Sequence, residues 1–187
     1  MKIEDNFLDQ SVFGELQTLM MGDGFDWQYS PIIDSTEDIN NKNKFQFVHI
    51  FYAGNVPFSP YFKEMIPILN IIKPISLWRI KANLLTKTSN HIENPFHVDM
   101  PGLSEEKQKQ WTTSIFYVNT NDGYTVFEDG TKIESVANRI VSFPEETKHR
   151  GTSCTDEKIR MVINFNFLSS SMFIVSLGLI VFSLIND

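Results

Sequence analysis

The chain has 187 residues, 42% of them hydrophobic, so it can bury one core but is short for two complete domains. Its net charge of -7 argues against a nucleic-acid-binding surface, because phosphate neutralisation needs clustered lysine and arginine. A single cysteine, Cys154, excludes an intramolecular disulfide and fits a reducing compartment, and no signal-peptide-like apolar run follows the first residues. We therefore predict a cytoplasmic domain without nucleic-acid partners.

A helical pattern comes first along the chain. Apolar residues recur there at three- and four-residue steps: Phe13, Leu16, Leu19 and Met20. Asp9 is a candidate N-cap, and Gly22 is expected to end the helix. The stretch 24–43 is rich in turn formers and is predicted to be irregular.

A strand and a second helix are predicted next. Residues 45–52 are aromatic and β-branched, and His49 on their apolar face is predicted to be a hydrogen-bonded core residue. Ser59-Pro60 is a typical helix start, and an apolar stripe follows: Tyr61, Met65, Ile68, Leu69 and Ile72. The helix should run to Pro74 with a bend at Pro67.

Beyond residue 74 the pattern changes from helical to strand-like. Predicted strands cover 75–85, 111–119, 124–127, 132–136, 139–143 and 158–167. Turn signals at 121–123 and 128–130 separate some of these strands, which is typical of an antiparallel barrel or sandwich. The charged segment 104–110 is predicted to be a solvated loop or helical turn. The fold class is therefore mainly β with flanking helices.

His97-Val98-Asp99 is the strongest candidate for a metal site. Side chains two residues apart in an extended strand point to the same face, so this pair can direct an imidazole and a carboxylate at one point. A second histidine from a distant strand would complete the triad that suits non-haem iron(II), and His149 is the candidate. His91-Ile92-Glu93 has the same spacing, and spacing alone does not separate the two.

Arg160 is the second unusual residue. It stands in a predicted strand that is otherwise strongly apolar, between Ile159 and Met161. An arginine in such a strand needs either a buried anion or an exposed face.

The order of these motifs resembles that of the iron(II)- and 2-oxoglutarate-dependent oxygenases, specifically the prolyl-hydroxylase-like group. The matching segments lie between about 78 and 167: 97–99, 114–119, 123–127, 138–143, 149–151 and Arg160. The resemblance implies a double-stranded β-helix, or jelly-roll, with flanking helices. It gives an oxygenase domain of residues 1–167, with helices in 1–74 and the β-roll core in 75–167.

The resemblance also implies roles for individual residues. The implied iron(II) ligands are His97, Asp99 and His149. Arg160 would bind the C5 carboxylate of 2-oxoglutarate through its planar guanidinium. Tyr117 matches a position whose hydroxyl often helps to hold that carboxylate, and the alternative is an aromatic core residue with its hydroxyl bonded elsewhere. Asn83, on the strand before the metal motif, is a further candidate because it could point into the barrel. Two departures from the family pattern are a long segment at 86–95 and Tyr124 in place of the second glycine of Gly-Gly-x-Thr-x-Phe.

The implied chemistry is hydroxylation of a C–H bond in a protein side chain or small molecule. Iron(II) would be bound, 2-oxoglutarate and dioxygen would be consumed, and succinate and carbon dioxide would be released. The presence of Asp99 favours hydroxylation, because related halogenases lack that carboxylate. The alternative is a cupin-like jelly-roll that binds a metal or small ligand without 2-oxoglutarate chemistry.

The C-terminal residues 168–187 form a separate hydrophobic tail. No charged residue occurs from 167 to 185, and 172–185 are almost wholly apolar. A run of about eighteen such residues is near the lower limit for crossing a bilayer. The tail is either a C-terminal membrane anchor or a segment that packs on the barrel or on a second copy. The anchor leads to a third function class, a membrane-associated interaction protein that uses the β-roll only as a scaffold.

Overall fold

The computed structural model describes residues 1–33 and 39–169. The helices are α1 (Gln10–Met21), α2 (Ile66–Ile72) and the short α3 (Glu105–Gln108), with a 3-10 turn at Phe62–Met65. The first six strands are β1 (Lys2–Glu4), β2 (Gln28–Ser30), β3 (Gln46–Ala53), β4 (Val56–Pro57), β5 (Pro74–Thr86) and β6 (Trp111–Tyr117). They are followed by β7 (Tyr124–Phe127), β8 (Lys132–Glu134), β9 (Arg139–Pro144), β10 (His149–Gly151) and β11 (Ile159–Ser169).

The strands form two antiparallel sheets. The larger sheet has the order β1-β9-β6-β11-β5-β3-β2, with β4 paired to β3, and the smaller sheet has the order β10-β7-β8. The crossovers from β6 to β7 and from β9 to β10 carry the chain between the sheets. The fold is therefore the double-stranded β-helix with flanking helices that the sequence predicted.

Two apolar clusters lie on opposite sides of the larger sheet. The outer cluster joins α1 and α2 to the sheet, and its fully buried members include Met20, Met65, Ile68, Phe51, Ile80, Phe116, Ile163 and Phe165. The inner cluster fills one end of the β-roll: Ile115, Tyr117, Phe127, Ile133, Val141, Phe143 and Val162. Alternation along β5 and β11 sends successive side chains to these two sides.

Helix α1 begins and ends as predicted. Asp9 is the N-cap, and its Oδ1 accepts a hydrogen bond of 2.9 Å from the backbone N–H of Ser11. The helix ends at Gly22, and the predicted apolar residues Phe13, Leu16 and Met20 are buried.

The prediction of one bent helix from residue 60 to Pro74 was wrong. The chain instead forms the 3-10 turn and then α2, with Pro67 in the first turn of α2, where its missing N–H has no intrahelical partner to lose. Helix α2 ends before Pro74 because Lys73 adopts a left-handed conformation with φ of 47°.

The long strands were predicted within a few residues, whereas several short ones were missed. Strand β2 lies within the stretch 24–43 that was predicted to be irregular, and β1 and β10 were not predicted. Each has three residues, too few to show an alternating pattern. The charged segment 104–110 contains the predicted helical turn, which is α3.

The predicted membrane anchor falls largely on residues 170–187, which lie outside the described residues. Within 1–33 and 39–169, no helix is both long and apolar enough to cross a bilayer.

Candidate active site

The three predicted iron ligands converge on one point. His97 and Asp99 lie between β5 and α3, and His149 begins β10. Their candidate ligand atoms all lie within 4.8 Å of one another, and no other such group occurs in the described part of the chain. The Nε2 atoms of His97 and His149 are 3.7 and 3.9 Å from Asp99 Oδ1.

The backbone fixes the tautomer of both histidines. His97 Nδ1 lies 3.2 Å from the carbonyl oxygen of Pro95, and His149 Nδ1 lies 3.2 Å from that of Thr147. A carbonyl oxygen only accepts, so each Nδ1 carries the proton and each Nε2 carries the lone pair that a metal ion needs. Burial lowers the pKa of His149, which favours the neutral, metal-binding form.

Asp99 is held ionised by its neighbours. Burial opposes ionisation, but the polar contacts with His97 and His149 and the positive charge of Arg79 outweigh it and hold the Asp99 pKa well below its usual range. Asn166 Nδ2 donates to Asp99 Oδ2 at 2.9 Å. The second carboxylate oxygen, Oδ1, faces the two histidines.

These residues fit an iron(II) ion. Two imidazole nitrogens and one carboxylate oxygen form the facial donor set of non-haem iron(II), which leaves three positions open. Donors bonded at right angles to one ion at about 2.1 Å lie about 3 Å apart, so the ligand atoms, which all lie within 4.8 Å of one another, would need to approach one another by less than about 2 Å.

Arg160 is a buried cation that faces the same cavity as the triad. Its side chain is 4% exposed, and no acidic residue pairs with it in the described ranges. Its Nε donates to Ser135 Oγ at 2.9 Å, and Nη2 donates to Thr125 Oγ1 at 3.2 Å. Burial lowers its pKa, but an arginine stays protonated in proteins.

Two glycines make the room that Arg160 occupies. A Cβ at Gly123 would lie 2.6 Å from Arg160 Cδ, and a Cβ at Gly151 would lie 3.3 Å from Arg160 Nη1. The first of these glycines belongs to the motif 123–127 that carries the family resemblance. Any larger residue at Gly123 would clash with the Arg160 side chain and with the backbone oxygen of Ser153.

The triad and Arg160 line one cavity of about 650 Å³ between the two sheets. Its walls include the predicted residue Asn83 and the apolar residues Leu85, Ile115 and Val162. The arrangement combines three candidate metal ligands with a buried cation that has no acidic partner in residues 1–33 and 39–169.

Comparisons with known proteins agree with this architecture. No protein-family model matches the chain, and no curated protein matches its sequence. A prolyl hydroxylase from Trichoplax adhaerens, solved with a hypoxia-inducible-factor peptide fragment, superimposes with a TM-score of 0.63 at 12% identity and covers 94% of this chain and 86% of its own. A Pseudomonas putida prolyl-4-hydroxylase gives 0.54 at 10% identity, covering 90% and 91%.

A third similar structure is that of an epimerase and not of a prolyl hydroxylase. A non-heme alpha ketoglutarate dependent epimerase from nogalamycin biosynthesis gives a TM-score of 0.63 at 9% identity, covering 90% of this chain and 78% of its own. The chain has the fold of the 2-oxoglutarate oxygenases. This finding confirms the family resemblance at the level of the oxygenase fold.

Tyr117 and Asn83 occupy different places in this oxygenase fold. Asn83 lines the cavity from β5. Tyr117 is fully buried and does not line it; its hydroxyl donates at 2.8 Å to Thr125 Oγ1, the same atom that accepts from Arg160. With both lone pairs engaged, the Thr125 hydroxyl has its own proton left to donate. Thr125 therefore links Tyr117 and Arg160 to the cavity.

We expect Thr125→Val to weaken 2-oxoglutarate binding by about 5- to 30-fold, because a net 1–2 kcal/mol is typical of a buried hydrogen bond. The free energy of unfolding should fall by about 1–3 kcal/mol, since the Tyr117 hydroxyl would be left unpaired. Calorimetric titration and chemical denaturation measure the two effects. Thr125→Ser should restore both, and Thr112→Val on β6 is the matched control; equal binding by all variants would contradict the role.

The competing motif His91-Ile92-Glu93 does not form a metal site. His91 Nε2 lies 3.2 Å from Asp122 Oδ1, whereas Glu93 pairs with Arg150 and accepts from the Tyr124 hydroxyl. His49 is a core residue as predicted, with its two ring nitrogens bonded to Asp26 O and Ser59 Oγ.

Sequence reasoning missed a buried carboxyl behind the triad. Glu145 is fully buried; the Thr113 hydroxyl and the Met100 backbone N–H donate to it. Asn166 lies between the two acids, with its Nδ2 3.5 Å from Glu145 Oε2. Burial raises the pKa of Glu145 to about 7 against the opposing hydrogen bond from Thr113.

This raised pKa predicts a pH dependence of stability. Between pH 4.5 and about 7 the folded chain holds a proton on Glu145 that the unfolded chain has lost, so stability should decline as pH rises through that window. We expect Glu145→Gln to remove roughly 1–3 kcal/mol of this decline. Denaturation of both chains without metal at several pH values measures it, and the opposite contribution of His149 cancels in the difference. Parallel pH profiles would refute the prediction.

Proposed function

We propose that the chain is an iron(II)- and 2-oxoglutarate-dependent oxygenase that hydroxylates a C–H bond of a protein side chain or a small molecule. The observation that carries the proposal is Arg160, a buried cation without an acidic partner in the described part of the chain, in the cavity of the metal-binding triad. A barrel that bound only a metal ion would gain nothing from burying such a charge, since an uncompensated buried charge destabilises the fold.

The triad residues would hold iron(II) from one side. His97 and His149 supply neutral imidazoles whose Nδ1 protons are already committed to backbone carbonyls, and Asp99 supplies a carboxylate kept ionised by its neighbours. When bound, iron(II) with 2-oxoglutarate and dioxygen supplies the oxidising chemistry, and succinate and carbon dioxide are the by-products.

Arg160 would bind the C5 carboxylate of 2-oxoglutarate. Its Nε is anchored to Ser135, so the planar guanidinium has a fixed orientation in which to form two parallel charge-assisted bonds. The Thr125 hydroxyl is a further donor at the same place. The apolar side chains of Leu85, Ile115 and Val162 exclude water from this end of the cavity.

A small molecule or a peptide is the proposed class of substrate. The cavity volume of about 650 Å³ is in the usual range for small-molecule sites, and the Trichoplax adhaerens protein was solved with a peptide fragment bound. The epimerase with the same fold shows that fold similarity does not by itself select hydroxylation.

Anaerobic titration with iron(II) and then 2-oxoglutarate tests the proposal. We expect the weak visible charge-transfer band of the chelate to appear and to saturate at one equivalent of each. An iron-loaded chain without this band would support the cupin-like alternative, a jelly-roll that binds metal without 2-oxoglutarate.

A further inference from the structure

Strand β11 carries two asparagines on its inner side. Asn164 and Asn166 alternate with the core residues Ile163 and Phe165, so both point away from the outer apolar cluster. Asparagine is depleted in strands, and Asn166 is 0% exposed in a strand that lies between β5 and β6. A fully buried amide is tolerated in such a place only when hydrogen bonds satisfy it.

The chemistry of its neighbours fixes which way the Asn166 amide points. Arg79 Nε donates to Asn166 Oδ1 at 3.2 Å, and an arginine side chain has no acceptor, so the amide oxygen has to face β5. An ionised carboxylate has no donor, so the amide nitrogen has to face Asp99, whose Oδ2 lies 2.9 Å away. Rotation of the amide by half a turn would place donor against donor and acceptor against acceptor. Asn166 therefore directs an N–H at Asp99.

The second amide hydrogen of Asn166 joins a buried network. Its Nδ2 lies 3.0 Å from Thr113 Oγ1, and the Thr113 hydroxyl donates to Glu145. The other Glu145 oxygen accepts from the backbone N–H of Met100 at 2.5 Å. Because Met100 follows Asp99 in the chain, these bonds close a ring that begins and ends at Asp99. The ring fastens a segment that belongs to no strand or helix.

The two carboxylate oxygens of Asp99 are in different surroundings. Oδ2 accepts from the amides of Asn166 and Asn164 at 2.9 and 3.3 Å, and Arg79 Nη2 lies 3.9 Å from it. Oδ1 faces the Nε2 atoms of the two triad histidines at 3.7 and 3.9 Å. A carboxylate can bind a metal ion through one oxygen or through both. The amide donors engage Oδ2 and leave Oδ1 as the ligand atom.

This division of the carboxylate determines how many positions stay open on a bound ion. Two imidazoles and one carboxylate oxygen fill three of six positions. A carboxylate bound through both oxygens would fill a fourth. The remaining two would be too few, because 2-oxoglutarate takes two positions and dioxygen takes one.

We propose that Asn166 is a positioning residue that holds Asp99 as a one-oxygen ligand and so keeps three positions of the bound ion open. This inference rests on the metal-binding part of the proposed function, because it assumes an ion held by the triad. Asn166 is not among the residues that line the cavity, so it acts through Asp99.

A count of the water molecules on bound Mn(II) tests the proposal directly. Mn(II) alone is bound to the full chain in ordinary water and in water enriched in a magnetic oxygen isotope, and the added broadening of its electron paramagnetic resonance lines gives the count. We expect three water molecules in the wild-type chain, one for each open position. Asn166→Leu has a side chain of similar volume without a donor, and we expect two, because Asp99 Oδ2 would then bind the ion.

The affinity for 2-oxoglutarate gives a second readout. At saturating Mn(II), Asn166→Leu should bind 2-oxoglutarate about tenfold or more weakly in calorimetry. Asn166→Ser is too short to reach Asp99 and should give the same water count as Asn166→Leu without placing an apolar group beside a carboxylate. If neither variant folds, the wild-type count decides, since two water molecules there would mean that Asp99 already binds through both oxygens.

Asn119→Leu is the matched control for loss of a buried asparagine. The Asn119 amide bonds to the backbone of Ile159 and Met161, and it is not among the residues that line the cavity. This variant should lose stability in chemical denaturation and keep three water molecules on Mn(II). A merely structural role for Asn166 would give the same result at Asn166.

The outcomes separate this inference from the proposed function. Three water molecules in both Asn166 variants, or two in the wild-type chain, overturn the inference even when the iron(II) and 2-oxoglutarate chelate forms. Conversely, a change from three to two without any chelate in the wild-type chain refutes the proposed function and supports the role of Asn166 at the metal site.

Discussion

Substrate-dependent release of succinate is expected to disappear when Asp99 is replaced by alanine. The change removes one of three donors to the proposed ion, and affinity for iron(II) or Mn(II) should fall by more than about 100-fold, since loss of an outer-shell partner alone costs about 10–100-fold. Metal titration followed by calorimetry and a succinate assay at saturating iron(II) measure the two effects.

The control has to separate loss of a ligand from loss of the fold. Alanine leaves the amide hydrogens of Asn164 and Asn166 without the acceptor they use in the wild-type chain, so some destabilisation is expected. Asp99→Asn keeps the shape and one acceptor oxygen, and it should lose metal affinity while retaining its unfolding transition. Asp23→Ala removes an exposed carboxylate and should change nothing. Wild-type succinate release by Asp99→Ala would remove Asp99 from the site.

Replacement of Arg160 by methionine is expected to raise the 2-oxoglutarate requirement steeply. Truncation of one partner of a buried, hydrogen-bonded charge pair costs about 2–5 kcal/mol, which is roughly 30- to 4,000-fold in Kd. Calorimetric titration of 2-oxoglutarate into the metal-loaded chain measures the change. Arg160→Lys keeps the charge without the planar guanidinium and should give an intermediate loss.

The same variant, Arg160→Met, is expected to lose 2-oxoglutarate binding without losing stability. Without 2-oxoglutarate, Arg160 is a buried cation with no acidic partner in the described ranges, so its replacement by an apolar side chain of similar length should not lower the free energy of unfolding. Arg139→Gln on β9, which breaks the surface pair with Asp5, should leave 2-oxoglutarate binding unchanged. An unchanged 2-oxoglutarate requirement in Arg160→Met would refute the role of Arg160.

Long strands were predicted from the sequence, whereas very short strands were not. Strands β5 and β11 were predicted because their alternation continues over 13 and 11 residues. Strand β10 was missed because its three residues are paired by register with β7 and have no pattern of their own. The two His-x-acid motifs can be distinguished only in the fold. There the His91 side chain contacts Asp122, whereas Asp99 lies next to the second histidine, His149.

The residues around the triad were missed for a related reason. Thr125, Asn166 and Glu145 act through partners that are 8 to 67 residues away in the chain, and no local spacing encodes these contacts. Arg79 and Lys81 did leave a signal. Two cations alternate there with apolar residues in a strand that lies inside the sheet, between β11 and β3, and this conflict between charge and position points to a polar interior.

The two triad histidines are paired through their backbones, and this pairing bears on how the proposed site would take up an ion. His97 and His149 exchange both backbone hydrogen bonds, each at 3.0 Å, and this two-bond bridge fastens the segment before Asp99 to the smaller sheet. Backbone hydrogen bonds therefore hold the two histidine segments together, so the proposed site would need metal less than zinc fingers do, which fold only when metal is bound. A metal ion held by the proposed triad could then leave and be replaced while the scaffold stays intact, so the metal that is bound would depend on the donor set and on which ions the surroundings supply.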